Sequence, residues 1–102
     1  ETMETISSEE GILYAESEQP SLIILDIAAE SFDGFGAFKQ LRESYLTSGI
    51  PIIALTDGDK NGGIYYTSED FEAAFDVPGP EGIVDKPVDP SYLMTCIMGV
   101  MG

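Results

Sequence analysis

Three short apolar runs, each closed by a polar side chain, limit what this chain can fold into. Residues 21–26, "SLIILD", end at Asp26; residues 51–56, "PIIALT", end at Thr56; residues 82–87, "GIVDKP", carry a strand that ends at Lys86. In the first two runs the apolar side chains do not alternate with polar ones. A strand of that kind is covered on both faces, as in a parallel sheet. Parallel neighbours need a long crossover, usually a helix, and the segments between the runs are of helical type.

Residues 2–6, "TMETI", are rich in β-formers and predict a short first strand. Ser7 with Glu10 has the spacing of a capping box, opening a helix that runs to about Gln19 and stops before Pro20. Residues 34–45 predict a helix with Phe35, Phe38, Leu41 and Tyr45 on one face and Lys39 and Arg42 on the other. Residues 57–66 form a glycine-rich loop. A third helix is expected over 68–75, capped by Thr67 or Ser68, with Phe71, Ala74 and Phe75 inward. Asp89-Pro90 is a strong helix start, and the helix over 91–101 is apolar nearly all round. The order is β-α-β-α-β-α-β-α. It predicts an α/β fold, a doubly wound parallel sheet with right-handed crossovers, in a single domain over 1–102.

Charge and composition remove several function classes. Nineteen acids against four bases give a formal charge of −15, a field that repels nucleic-acid backbones and anionic membrane surfaces as direct partners. There is no histidine, which removes Ser-His-Asp and Cys-His catalysis and the usual zinc sites. The single cysteine, Cys96, sits in an apolar stretch and reads as a core thiol in a reducing compartment. No apolar run is long enough to span a bilayer and no signal peptide is visible, so a cytoplasmic location is expected.

Ligands of open α/β sheets sit beyond the carboxyl ends of the strands, so Asp26, Thr56 and Lys86 are expected on one edge. An acid, a hydroxyl and an ammonium together suit phosphoryl chemistry. A carboxylate can attack phosphorus and form an acyl phosphate, with a cation and a donor steadying the developing charge. Taken singly, each residue has an ordinary reading: a turn or cap for the acid, a solvated loop residue for the lysine.

The stretches "LIILDIAAESFDGFGAFKQLR", "IPIIALT" and "GIVDKPVDPSYL" together resemble the response-regulator receiver domain of two-component signalling. The spacing of thirty from Asp26 to Thr56 and the Lys86-Pro87 pair match that family, and the likeness covers the chain from about residue 3. The resemblance implies a flavodoxin-like receiver architecture that begins near the family's second strand, and so an N-terminally incomplete domain. It implies that Asp26 takes a phosphoryl group from the phosphohistidine of a sensor histidine kinase or phosphotransfer protein. Thr56 would bond the phosphoryl group, Lys86 would pair with its oxygens, and Asp26 with the Ala28 carbonyl would face Mg2+. Asp33-Gly34 would be the turn into the next helix.

The chain also departs from the family. The acidic pair that binds Mg2+ after the family's first strand has no counterpart here, Glu30 stands where proline is common, and Asp57 where a small residue is usual. Ile83 replaces a switch aromatic, and Tyr65 and Tyr66 lie in a longer loop. Two other readings follow: a degenerate receiver that serves as a protein-interaction module without phosphorylation, and a small α/β enzyme or ligand-binding module. The apolar last helix predicts a homodimer or partner contact through Leu93, Ile97 and the neighbouring methionines. An unfilled sheet position, where the family's first strand would lie, offers a second route to dimers by strand exchange.

Overall fold

The computed structural model of the protein describes residues 3–29, 32–58 and 67–101. Four strands and four helices alternate: β1 (Met3–Ile6), α1 (Glu9–Glu18), β2 (Leu22–Asp26), α2 (Gly34–Glu43), β3 (Ile52–Thr56), α3 (Ser68–Phe75), β4 (Gly82–Asp85) and α4 (Pro90–Met101). The sheet is wholly parallel, in the order β1-β2-β3-β4. Crossovers of one hand that always step in one direction leave their helices on one face. Accordingly α1, α2 and α3 bury Ile12, Ala15, Phe38, Leu41 and Phe71 against Ile23, Leu25, Ile52 and Ala54. The opposite face, Leu22, Ile24, Ile53, Leu55 and Val84, receives Leu93, Cys96, Ile97 and Val100 of α4. Helices therefore cover both faces, as the unbroken apolar strands require.

β1 pairs directly with β2, from Met3 opposite Leu22 to Ile6 opposite Leu25. That pairing corrects the expectation of an unfilled position in the sheet, and strand exchange into such a gap has no basis here.

Local chemistry explains the helix ends. Thr67 and Asp70 make a reciprocal capping box at α3. Asp33 caps α2 by accepting from the Gly36 amide at 2.9 Å. Gly34 is required for space, because a Cβ there would stand 2.5 Å from the Ile27 Cα. α1 differs from its forecast: its N-cap is Ser8, with no side-chain cap bond, so the Ser7–Glu10 box does not form. α2 stops at Glu43, where Ser44 turns extended, and Tyr45 beyond it is 88% exposed rather than inward. Ala74 is likewise exposed, leaving Phe71 and Phe75 to meet Phe38.

Arg42 is the largest correction. Instead of facing solvent, its guanidinium is buried and donates to the carbonyls of Pro78, Gly79, Ser48 and Ile50 and to the Glu81 carboxylate at 2.8 Å. The same Glu81 oxygen accepts from the Ile52 amide. This clasp joins the segments entering β3 and β4. Glu30, Tyr65 and Tyr66, singled out in the sequence, lie outside the described residues.

Candidate functional site at the carboxyl edge of the sheet

Register carries the three polar residues to one edge. Asp26 pairs with Leu55, so Thr56 ends one residue further along; Thr56 pairs with Asp85, and Lys86 follows at once. The Lys86 amide donates to the Thr56 carbonyl at 2.7 Å, which ties the two strand ends together.

The Lys86 ammonium lies 3.0 Å from each oxygen of the Asp26 carboxylate. Both groups are mostly shielded, with 18% of the Asp26 side chain and 30% of the Lys86 side chain exposed. The carboxylate also accepts from the Ala28 amide at 3.2 Å, which folds the turn after β2 back over it. A carboxylate held this way is oriented, partly open to solvent, and faced by a point charge.

Thr56 reaches the edge, but its hydroxyl turns elsewhere. It donates to Asp85 Oδ1 at 3.1 Å, and the Gly58 amide donates to the same oxygen at 2.8 Å. Asp85 is a residue that the sequence did not single out. Its signal was its position: once β3 and β4 are set in register, it must stand opposite Thr56. Asp57 is half-buried beside Thr56, adding a third acid to this edge after Asp26 and Asp85.

Mg2+ takes near-octahedral oxygen ligands, usually one or two carboxylates with waters and phosphate. Among the described residues no group of three or more acidic, histidine or cysteine side chains is assembled that could hold a metal ion. Asp26, the carboxylate expected to face Mg2+ with the Ala28 carbonyl, has both its oxygens against an ammonium. The described residues therefore present no preassembled cluster for Mg2+.

The fold has counterparts among known proteins. No family model matches the chain. The chain is 28% identical over 92 residues to protein PilH of Pseudomonas aeruginosa, covering 90% of this chain and 69% of PilH. It is 34% identical over 94 residues to the alkaline phosphatase synthesis transcriptional regulatory protein PhoP of Bacillus subtilis, covering 91% of this chain and 35% of PhoP. The chain thus spans about a third of that regulator. A putative response regulator from Chloroflexus aurantiacus superposes with a TM-score of 0.68 at 26% identity, over 94% of this chain and 73% of the other. The chemotaxis response regulator CheY4 of Vibrio cholerae shares the fold, with a TM-score of 0.67 at 23% identity over 95% and 75% of the two chains.

Proposed function

Because the chain is a receiver domain of the response-regulator type, we propose that Asp26 accepts a phosphoryl group from a phosphohistidine of a sensor kinase or phosphotransfer protein. The observation that carries this reading is the Lys86 ammonium 3.0 Å from both oxygens of Asp26. In the transfer an Asp26 oxygen attacks phosphorus as the N–P bond to the donor imidazole breaks. The imidazole nitrogen keeps the bonding pair and takes up a proton from solvent. An acyl phosphate remains on Asp26, and its new charge falls beside Lys86, where a cation counts most. Thr56 supplies a hydroxyl donor to a phosphoryl oxygen once it turns from Asp85.

The role is that of a switch in the cytoplasm rather than an enzyme turning over a substrate. No helix among the described residues is long and apolar enough to cross a membrane. The test is transfer from a phosphorylated histidine-containing donor, read by intact mass. Uptake by the wild type and none by Asp26→Asn supports the reading; equal uptake by both sinks it.

One observation favours a second reading. The described residues gather no acidic group for Mg2+, which suits a degenerate receiver that binds partners without taking phosphate. Partner binding that persists unchanged in Asp26→Asn, with no uptake by either protein, would select it.

A further inference from the structure

One carboxylate oxygen of Asp85 serves two donors, the Thr56 hydroxyl at 3.1 Å and the Gly58 amide at 2.8 Å. The sheet sets this contact. Thr56 and Asp85 are register partners in β3 and β4, so their side chains leave the same face of a parallel pair. It is the face of Ala54 and Ile83, towards α1–α3. Lys86, the next residue, turns to Asp26 instead. Two neighbours in the chain thus hold the two halves of the site: Lys86 holds the carboxylate and Asp85 holds the hydroxyl.

We propose that Asp85 is a positioning residue that keeps the Thr56 hydroxyl, and the chain just past β3, committed away from Asp26. Phosphoryl acceptance then has to draw the hydroxyl off a competing carboxylate. This rests on Asp26 being the acceptor.

Donor counting makes the competition strict. A threonine hydroxyl has one proton to give, and a backbone amide has one. Thr56 is buried, at 3% exposure, so while it serves Asp85 it has none for a phosphoryl oxygen. Hydrogen bonds to a charged acceptor are about twice as strong as neutral ones. The acyl phosphate also adds negative charge to an edge that already carries Asp85. Asp85 therefore opposes the phosphorylated form in two ways, by holding its donor and by repelling its charge. When the hydroxyl leaves, the chain past β3 loses one of the two bonds that Asp85 gives this segment. Phosphorylation at Asp26 is thereby felt at Gly58, the way out of β3 towards α3.

The experiment uses isotope-labelled protein and solution NMR, with beryllofluoride and saturating Mg2+ as the phosphoryl mimic. Without the mimic, Asp85→Ala is expected to move the Gly58 amide resonance upfield and to speed its hydrogen exchange about tenfold, one hydrogen bond to a charged acceptor. With it, Asp85→Ala is expected to bind the mimic about tenfold more tightly than wild type, while Asp26→Asn binds none. If Asp85→Ala does not fold, Asp85→Asn carries the test, with a smaller shift in the same direction. An unmoved Gly58 amide overturns the proposal. So does equal affinity of wild type and Asp85→Ala where Asp26→Asn fails to bind, and in that case the acceptor reading stands. Binding by neither wild type nor Asp85→Ala removes the acceptor reading, and the role of Asp85 falls with it.

Discussion

Asp26 and Lys86, sixty residues apart in the chain, meet with both carboxylate oxygens 3.0 Å from one ammonium. The pair is partly open to water, so it contributes at most about 1 kcal/mol to stability. Its worth is to the site. Lys86→Met is expected to leave the urea midpoint nearly unchanged while cutting phosphoryl uptake from a phosphohistidine donor by about tenfold or more, since removing a donor to a developing anion costs at least that. Equal loss of stability and uptake would make the pair structural.

Arg42 carries the opposite balance. Only 2% of its side chain is exposed, and it satisfies four carbonyls and Glu81. Removing one partner of such a buried charged group costs about 3–5 kcal/mol, a large share of the roughly 5–15 kcal/mol that holds a domain together. Urea denaturation of Arg42→Ala is expected to show a loss of that size. Arg42→Lys should recover little, because an ammonium cannot reproduce the planar fork that spans these carbonyls.

The contrast between these two residues marks how far the sequence could be read. Unbroken apolar runs placed β2 and β3 to within a residue, and Thr67 announced α3 at its true start. The edge holding Asp26, Thr56 and Lys86 followed from strand ends alone. Arg42 was set on the solvent side by helical spacing, since its partners at Pro78 and Gly79 lie 36 and 37 residues away and no local pattern encodes them. Asp85 was missed for a related reason: its partner is fixed by cross-strand register, which exists only once the sheet is assembled. Ser7–Glu10 shows the reverse failure, a good local motif overruled when the helix began one residue later.

Gly34 ties the site to the packing of α2. A Cβ at this residue would sit 2.5 Å from the Ile27 Cα and 2.8 Å from the Ile27 carbonyl oxygen, and backbone cannot swing aside as a side chain can. Gly34→Ala is expected to cost about 1–3 kcal/mol, as overpacking does, and to displace the turn that follows Asp26. A thermal shift with no change in the Ala28 amide resonance would separate the two effects and refute the second.

Mg2+ alone should bind weakly. The described residues offer no acidic cluster, and Asp26 is already faced by Lys86. Calorimetry is expected to show no saturation below the millimolar range, and EDTA should leave the melting temperature where it was. Micromolar binding lost in Asp57→Asn would show that the acid beside Thr56 completes a site.

Association is expected through the last helix, and the helix's geometry changes which residues should carry it. Leu93 and Ile97, expected at an interface, pack on the sheet with Cys96 and Val100. Met94, Met98 and Met101 remain exposed and, four and three residues apart, fall in one stripe along α4. On the other flank stands Tyr92, whose phenol is pushed above its ordinary value by Cys96 beside it. Methionine surfaces adapt readily to a partner, and this stripe is where a homodimer would form. Ile97→Asp would set a charge on a half-buried residue packed against the sheet and weaken the fold as well, so it does not isolate association. Met98→Asp is the clean variant: it leaves the core intact and places a carboxylate in the stripe of a protein already at −15. Light scattering is expected to show a dimer at high micromolar concentration for the wild type and a monomer for Met98→Asp, with equal urea midpoints. A monomer in both cases would count against association through α4.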